Sequence, residues 1–260
     1  MISGADHRGP SSRRTTTGTV DGAELARFSA LAAEWWDPDG KFRPLHRLNP
    51  VRLAYIRDRL CARYGRDARS LRALDGLDVL DVGCGGGLVA EPLARMGARV
   101  TAIDASEENI ATATAHAREG GIAIDYRAMT AEALAAEGRR FDAVVALEIV
   151  EHVANRPLFL RSCTELARPG GTLFFATLNR SAKSFLFAIV GAEYVLRWLP
   201  RGTHQWEKFV RPSELADGLA AHGATVEEVT GVTYDPLQDD WRLSRDPSVN
   251  YMVYAEKARG

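Results

Sequence analysis

An apolar segment that runs directly into a cluster of glycines is the most informative feature of the sequence. Residues 79–82 are followed by Gly83-Cys84-Gly85-Gly86-Gly87, and such a turn lets a ligand approach the backbone closely because glycine has no Cβ. The glycines are spaced Gly-x-Gly-x-Gly, and Asp81 lies two residues ahead of the first one. Leu88 occupies the position of the third glycine in the dinucleotide-binding fingerprint, so the loop departs from that fingerprint.

A second acidic residue follows at the spacing expected of a nucleoside site. Asp104 ends the next apolar segment, 21 residues after Gly83, and a carboxylate there can accept hydrogen bonds from both ribose hydroxyls. Together with Asp81, Gly83 and Gly85 it resembles the S-adenosylmethionine site of class I methyltransferases, which implies that these four residues contact the cofactor. The alternative is a glycine turn in which Asp104 only caps a helix.

Two carboxylates and an imidazole follow the predicted fourth strand. Glu148, Glu151 and His152 come directly after the apolar segment 141–147, and α/β sheets bind ligands beyond the carboxyl ends of their strands. If this turn is helical, the three side chains share one face and can hold a divalent cation with open positions for substrate oxygens. The alternative is that they only cap or solvate a helix.

Short apolar segments alternate with helical patterns beyond Leu77, which predicts an α/β fold with a mostly parallel sheet covered on both faces. The predicted strands are 77–83, 98–103, 122–127, 141–147 and 171–177, and the predicted helices are 87–96, 106–118, 130–137, 155–167 and 211–222. Two further strand-like segments, 224–232 and 249–257, have no convincing helix between them. We expect them to form an antiparallel pair that closes one edge of the sheet.

The chain ahead of the sheet divides into a tail and a helical extension. Residues 1–22 are rich in Ser, Thr, Gly, Pro and charge, which predicts a disordered tail. In the extension, 23–70, apolar spacing predicts a helix that begins at Ala23 and is ended by the segment 37–40. Asn49-Pro50 has the form of a helix start, and this second helix is predicted to reach Tyr64. Residues 71–260 form the predicted catalytic domain.

The composition argues against several classes of protein. The 260 residues carry 33 Lys and Arg against 34 Asp and Glu, a formal net charge of -1, so no basic excess is available for binding nucleic acid. No uncharged apolar run reaches the roughly 18 residues that a membrane span needs. Cys61, Cys84 and Cys163 have no CxxC spacing, which argues against a disulfide framework or a structural zinc site.

Motifs outside the glycine loop carry a more specific resemblance. From about Phe28 to Tyr254 the sequence resembles the ubiquinone-biosynthesis O-methyltransferases, which methylate both polyprenyl catechol intermediates of that pathway. The motifs are Trp35-Trp36-Asp37, Pro44-Leu45-His46-Arg47-Leu48-Asn49-Pro50 with Arg52, Glu148-x-x-Glu151-His152, Thr177-Leu178-Asn179-Arg180, Val190-Gly191-Ala192-Glu193-Tyr194, Gly202-Thr203-His204 and Asn250-Tyr251-Met252. Ordinary class I methyltransferases share only the glycine loop.

The resemblance implies a class I methyltransferase fold and a set of cofactor contacts. Arg52, Gly83, Asp104 and Leu147 match the family's S-adenosylmethionine contacts. A guanidinium can pair with the methionine carboxylate of the cofactor, and Leu147, at a strand end, can lie against the adenosyl group.

The resemblance also implies a metal-assisted reaction. Glu148, Glu151 and His152 match the family's metal ligands, and Mg²⁺ suits carboxylate and phenolate oxygens. The bound cation would favour the catechol phenolate, which would attack the sulfonium methyl in line. In an alternative mechanism, His152 or His204 acts as the general base.

An insertion, 181–203, separates the fifth predicted strand from the helix at 211–222. Its apolar and aromatic centre, 184–199, has basic residues near its ends and can lie in a membrane interface, where a polyprenyl substrate would be collected. The alternative is a lid or a core helix that never touches lipid. The resemblance further implies demethylubiquinol or a polyprenyl catechol as substrate, and a ubiquinone-biosynthesis complex as partner. It favours a cytoplasmic, bacterial location with peripheral contact to the inner membrane over the mitochondrial matrix.

Three other functions stay open at this point. A methyltransferase that acts on carbon or nitrogen would be independent of metal and would use the segment 148–152 only structurally. A nicotinamide-dependent dehydrogenase is disfavoured by Leu88. A non-catalytic S-adenosylmethionine-binding protein is disfavoured by the intact Glu148, Glu151 and His152.

Overall fold

The computed structural model describes residues 18–184, 206–235, 238 and 240–259, and an eight-stranded sheet lies at its centre. The strands are β1 (Asp78–Val82), β2 (Arg99–Asp104), β3 (Asp125–Ala128), β4 (Phe141–Leu147), β5 (Ala167–Leu178), β6 (Ala224–Asp235), β7 (Asp240–Ser244) and β8 (Asn250–Lys257). Their order across the sheet is β3-β2-β1-β4-β5-β8-β6-β7.

Helices precede the sheet and connect its strands. They are α1 (Gly22–Ser29), α2 (Arg43–Tyr64), α3 (Ala90–Arg95), α4 (Glu107–Glu119), α5 (Ala131–Ala136), α6 (Arg156–Leu166), α7 (Ala182–Ser184) and α8 (Pro212–Ala220). Two short 3₁₀ turns, Ala32–Glu34 and Trp206–Lys208, complete the described helical segments.

The parallel half of the sheet brings the carboxyl ends of its strands to one edge. β1 pairs in parallel with β2 and β4, with Asp81 opposite both Ala102 and Val145, and β4 pairs in parallel with β5. β1 and β4 are buried along most of their length, which explains why they are continuous apolar runs and do not alternate. The predicted α/β fold with a mostly parallel sheet is confirmed.

Each face of the sheet carries its own apolar core. On one face Ile56 of α2 belongs to the same cluster as Val79 of β1. On the other face Leu80 packs in a cluster with Leu160 of α6 and Leu215 of α8. Adjacent residues of β1 enter opposite cores because side chains alternate along a strand. The helical extension therefore shares its core with the sheet.

The antiparallel end of the sheet differs in one respect from the prediction. β8 pairs antiparallel with both β5 and β6, which confirms that 224–232 and 249–257 are paired. The sequence analysis missed β7, which pairs antiparallel with β6 and forms the edge. Its five residues are exposed or half-buried, but Trp241 and Leu243 alternate with polar residues, which is the pattern of a half-buried strand.

The helical extension departs from the prediction at both of its helices. α1 ends at Ser29, and the chain resumes as a 3₁₀ turn, so the helix predicted from Ala23 to the segment 37–40 is broken. α2 begins at Arg43 and contains Pro50 in its interior, so the start predicted at Asn49-Pro50 is wrong.

The side chain of Asn49 gives a physical reason for this error. Its amide Nδ2 donates to the carbonyl of Leu88 at 3.5 Å, so it joins α2 to the glycine loop and does not cap a helix. Pro44 occupies the first turn of α2, the position that proline prefers because its missing N–H is not needed there.

The predicted tail is shorter than the sequence indicates. The backbone amide of Thr19 donates to Glu132 Oε1 at 3.0 Å, and its carbonyl accepts from the amide of Ala154 at 2.9 Å. Residues 18–22 therefore pack against the domain, while 1–17 lie outside the described residues. The predicted insertion, 181–203, lies outside them from residue 185 onward. In the described ranges no helix combines the length and apolar character that crossing a membrane requires.

Candidate active site

The glycine loop turns sharply after β1 and lies against the end of β2. Gly83 and Gly85 have φ angles of 73° and 52°, a left-handed conformation that L side chains rarely adopt. The amide of Gly83 donates to the carbonyl of Ile103 at 2.8 Å, and the amide of Gly85 donates to Asp104 Oδ2 at 3.0 Å. The loop and Asp104 are therefore in direct contact.

Asp104 does not cap α4, although that was the structural alternative. Its Oδ1 accepts from the amide of Ser106 at 2.8 Å and from Asn109 Nδ2 at 3.3 Å. Ser106 is the N-cap residue, since its hydroxyl accepts from the amide of Asn109 at 3.1 Å. Burial raises the pKa of the Asp104 carboxyl, while these hydrogen bonds oppose the rise.

Two tryptophans from the helical extension cover the outside of the loop. A Cβ on Gly85 or Gly86 would overlap Trp35, so the loop needs glycine at both positions for packing and at Gly85 for conformation as well. Trp35 Nε1 donates to Asn109 Oδ1 at 2.9 Å, and Trp36 Nε1 donates to the carbonyl of Gly86 at 2.9 Å. The motif Trp35-Trp36 thus fixes the extension onto the cofactor loop.

Asp81 is buried at the end of β1. Its Oδ2 has no hydrogen-bond partner among the described residues. Burial and, to a smaller extent, the nearby charge of Asp104 together raise the pKa of this carboxyl to about 7. A buried acceptor without a partner calls for a donor, which a bound ligand can supply.

Arg52, on α2, is the largest fully buried side chain of the described protein, and it forms an ion pair with Glu148. Burial lowers the pKa of its guanidinium, whereas the charges of Glu148 and Glu151 oppose that change. Its Nε is buried and has no hydrogen-bond partner in the described part of the chain. Arg52 therefore retains one donor that a ligand can use.

The segment between β4 and α6 is a hydrogen-bonded turn and does not form a helix. Glu148 has a φ of 53°, and the amide of His152 donates to the carbonyl of Ile149 at 2.9 Å. A left-handed residue directly after the strand turns the chain off a helical path, so Glu148 reaches Arg52 while Glu151 is buried. The condition under which Glu148, Glu151 and His152 would share one helical face is therefore not met.

His152 lies against α1. Its Nδ1 is 3.3 Å from Glu24 Oε2, an ion-pair distance at which the hydrogen-bond geometry is not aligned. The ring of Phe28 meets the imidazole edge-on, with 5.2 Å between centroids. Burial opposes the charged form of His152, but the carboxylates of Glu24 and Glu151 outweigh it and raise the pKa of the imidazole.

The three predicted metal ligands do not converge in the structure. Within residues 18–184, 206–235, 238 and 240–259, no group of three or more His, Cys, Asp or Glu side chains is placed to hold a metal ion. Glu148 is engaged by Arg52, and His152 by Glu24. Burial and the charge of Glu148 together raise the pKa of Glu151 above its ordinary range. The donor types suit a cation but their arrangement does not, so the metal site stays a prediction.

All nine residues that the sequence analysis assigns to the site line one cavity of about 600 Å³. They are Arg52, Asp81, Gly83, Gly85, Asp104, Leu147, Glu148, Glu151 and His152. The sequence analysis missed the wall that the helical extension supplies, which includes Glu24, Leu25, Phe28 and Phe42. Leu25 and Phe28 have the spacing of an ordinary core helix, and only the Trp35-Trp36 motif indicates that this segment belongs to the site.

Comparison with known proteins identifies close relatives over nearly the whole chain. A family model described as a methyltransferase domain matches residues 80–175. A ubiquinone biosynthesis O-methyltransferase of Parvibaculum lavamentivorans is 58% identical over 241 residues, which cover 93% of this chain and 95% of the relative. A protein of the same name from Chelativorans sp. is 58% identical over 248 residues, covering 95% and 97%.

Solved structures share the fold at low identity. The magnesium protoporphyrin IX methyltransferase of Synechocystis PCC 6803, with bound S-adenosylmethionine, has a TM-score of 0.61 at 18% identity and covers 94% of this chain and 100% of its own. A SAM-dependent methyltransferase from Aquifex aeolicus has a TM-score of 0.56 at 17% identity, covering 88% and 98%. The predicted methyltransferase fold is confirmed, and the dehydrogenase alternative is thereby removed. Because the named relatives match nearly from end to end, the chain belongs to the family of ubiquinone biosynthesis O-methyltransferases.

Proposed function

We propose that this chain transfers a methyl group from S-adenosylmethionine to a phenolic hydroxyl of polyprenyl catechol and demethylubiquinol intermediates. The observation that carries the proposal is one cavity whose wall includes the glycine loop and Asp104 as well as the acidic turn with His152. Donor and acceptor chemistry therefore meet in one space. The names of the relatives support the class of acceptor.

On the donor side, three side chains are given specific roles toward S-adenosylmethionine. Asp104 accepts hydrogen bonds from the ribose hydroxyls, Leu147 packs against the adenosyl group, and Arg52 binds the methionine carboxylate. Two buried polar atoms support this, since Arg52 Nε and Asp81 Oδ2 have no partner among the described residues. A polar ligand would satisfy both of them.

On the acceptor side, the reaction needs a phenolate. The pKa of a phenol is about 10, like that of a tyrosine side chain, so the hydroxyl keeps its proton near neutral pH unless a group removes it. In the mechanism without a cation, His152, which lies on the cavity wall, takes the phenolic proton. The phenolate oxygen forms a bond to the methyl carbon as the carbon–sulfur bond breaks, and the electron pair of that bond stays on sulfur. The products are the methyl ether and S-adenosylhomocysteine. His204, the other candidate base, lies outside the described residues.

Assistance by a divalent cation is the second part of the proposal. Glu148, Glu151 and His152 would hold the cation, with Mg²⁺ as the first candidate. When bound, it would stabilise negative charge on the catechol oxygens. The donor types support this part, as does Glu151 Oε2, which has no hydrogen-bond partner among the described residues.

One observation favours the alternative of a metal-independent methyltransferase acting at carbon or nitrogen. Glu148 is already paired with the buried guanidinium of Arg52, and His152 with Glu24. Ion pairs of this kind give both residues a structural role that needs no cation.

Transfer of a labelled methyl group to a short-chain demethylated ubiquinol tests the proposed function. We expect label in the organic phase with this acceptor, and none with the matched ubiquinol whose hydroxyl is already methylated. A chelator separates the two mechanisms. Metal assistance predicts that chelation removes turnover and that Mg²⁺ restores it, whereas undiminished turnover would leave only the metal-independent mechanism.

A membrane-surface partner belongs to the same proposal. The segment 184–199 would collect the polyprenyl substrate from the bilayer, since an apolar and aromatic segment with basic flanks suits the interface. We expect the chain to pellet with vesicles containing anionic lipid, and a variant that lacks 184–199 to remain in the supernatant. Equal pelleting of both would contradict the membrane role and favour a lid. Co-purification with other ubiquinone-biosynthesis proteins would test the proposed complex.

A further inference from the structure

We propose that Glu24 is a positioning residue for His152, because α1 holds the Glu24 carboxylate at Nδ1 of the imidazole and leaves Nε2 to the cavity. The inference rests on the proposed function, in which His152 acts on the acceptor. It adds a residue from the helical extension that neither the glycine loop nor the acidic turn contains.

Two contacts from one face of α1 fix the imidazole. Glu24 Oε2 lies 3.3 Å from His152 Nδ1, and Phe28, four residues later on the same helix, meets the ring at an interplanar angle of 79°. Residues four apart on a helix lie on one face. The carboxylate therefore sets which nitrogen faces inward, and the phenyl ring limits the rotation of the imidazole.

Glu24 is itself held in place by cations. Its Oε1 accepts from Lys208 Nζ at 3.0 Å, and its Oε2 lies 2.9 Å from Arg27 Nη2. Lys208 Nζ also donates to Asp21 Oδ2 at 3.2 Å, and Asp21 is the N-cap of α1. The carboxylate is therefore ordered by the fold before any acceptor arrives.

The chemical consequence is a defined tautomer of His152. A carboxylate beside one ring nitrogen keeps the proton on that nitrogen and leaves a lone pair on the other. His152 Nδ1 is buried while the residue lines the cavity, so the lone pair of Nε2 is available there. It can take a phenolic proton or bind a cation, and Glu24 serves either role.

The decisive variants are Glu24→Leu, which removes the carboxylate, and Glu24→Gln, which keeps an oxygen that can accept from Nδ1. Glu165→Leu on α6 is the matched control, since the Glu165 side chain is 45% exposed, pairs across one helical turn with Arg161 and does not line the cavity. We expect Glu24→Leu to lower kcat roughly 10- to 100-fold and Glu24→Gln to lower it less. The dissociation constant of S-adenosylmethionine should change by less than about threefold, because Glu24 contacts His152 and not the glycine loop.

Two further measurements separate positioning from general damage. In a His152→Gln background, Glu24→Leu should cost nothing more, because residues that act through one another are non-additive. Long-range ¹H–¹⁵N NMR of histidine-labelled protein, at a pH where the imidazole is neutral, should show the proton of His152 on Nδ1 in the wild type. In Glu24→Leu it should move toward Nε2.

These results also distinguish the inference from the proposed function. If the wild type does not methylate demethylubiquinol but the NMR signal changes in Glu24→Leu, the acceptor is wrong and the positioning role stands. An unchanged tautomer, or equal kcat in wild type and Glu24→Leu, would overturn the positioning role. If Glu24→Leu does not fold, Glu24→Gln is the deciding variant. The positioning role is also overturned if Glu24→Gln keeps the wild-type histidine NMR signals and lowers kcat additively in the His152→Gln background.

Discussion

At the scale of single residues, the ion pair between Arg52 and Glu148 affects which ligands each of the two residues can bind. The family resemblance assigns Arg52 to the cofactor and Glu148 to a cation, yet each satisfies the other's charge in the structure. A fully buried guanidinium needs a counter-charge, because removing one partner of a buried pair leaves an uncompensated charge. A ligand can use the Nε of Arg52 without breaking this pair, whereas a ligand of the paired Glu148 oxygen must replace the guanidinium as its partner.

Substitution of Glu148 by Ala tests this relation. We expect Glu148→Ala to abolish methyl transfer while S-adenosylmethionine still binds, because Arg52 is then free for the methionine carboxylate. The free energy of unfolding without ligand should fall by about 3 kcal/mol, the usual cost of leaving a buried charge unpaired. Glu148→Gln should lose less stability, since its amide oxygen still accepts from the guanidinium. Full turnover by Glu148→Ala in the presence of a chelator would contradict the metal mechanism, and unchanged stability would contradict the ion-pair argument.

At the scale of elements, the glycine loop and the tryptophan segment act as one unit. Gly85 combines a left-handed conformation with a close approach to Trp35. The segment ahead of α2 is joined in this way to the carboxyl edge of β1, and it forms part of the cavity wall. The helical extension is therefore part of the cofactor site.

A pair of glycine substitutions separates conformation from packing. Gly85 and Gly121 both have positive φ, at 52° and 64°, but a Cβ on Gly121 meets nothing within 4 Å. We expect Gly121→Ala to cost about 1 kcal/mol of stability from backbone strain alone, and Gly85→Ala about 3 kcal/mol because it also overpacks. Gly85→Ala should also shift tryptophan fluorescence and weaken S-adenosylmethionine binding by at least tenfold. Equal effects of the two variants would show that Trp35 does not matter.

The sequence predicts the elements well where local pattern and tertiary burial agree. The buried parallel strands β1 and β4 are continuous apolar runs. The alternation of strands and helices along the chain can be predicted from such runs and from the helical patterns between them. The position of the site follows as well, because the carboxyl ends of parallel strands meet at one edge. All nine predicted residues accordingly line one cavity.

The errors lie where a tertiary contact overrides a local signal. Asn49 has the form of a cap but binds the carbonyl of Leu88, so α2 begins at Arg43, ahead of the predicted start. Glu148 takes a left-handed conformation, so the acidic turn is not helical. The role of Glu24 depends on a contact across more than a hundred residues, and no periodicity in a sequence indicates such a contact.

At the scale of the whole molecule, buried carboxylates link stability to pH. Asp81 has a pKa of about 7 in the folded protein, against an ordinary value of 3.8, because of its burial and the charge of Asp104. The folded protein thus binds this proton more tightly than the unfolded chain does. The stabilisation that the protonated form gives is complete below about pH 4 and is lost as the pH rises through about 7.

Asp81→Asn should remove this dependence. At about pH 4 its free energy of unfolding without ligand should equal that of the wild type. At about pH 8 it should be higher by roughly 2 to 4 kcal/mol, because no charge needs to be buried. Denaturant titrations across this pH range measure the difference, with Asp58→Asn on the exposed side of α2 as the control. Parallel profiles for wild type and Asp81→Asn would contradict the burial argument.

The order of the strands also bears on how the chain is made. β8 lies between β5 and β6, so a strand that leaves the ribosome after the other seven described strands enters the interior of the sheet. The strands β1 to β5, with the glycine loop and the acidic turn, can assemble earlier during synthesis. Until residues 250–257 are available, however, the hydrogen-bonding edge of β5 is open, and an open edge invites pairing with other chains. A nascent chain that stalls before Asn250 therefore has most of its candidate active site in place, but it also exposes the unpaired edge of β5, which favours aggregation.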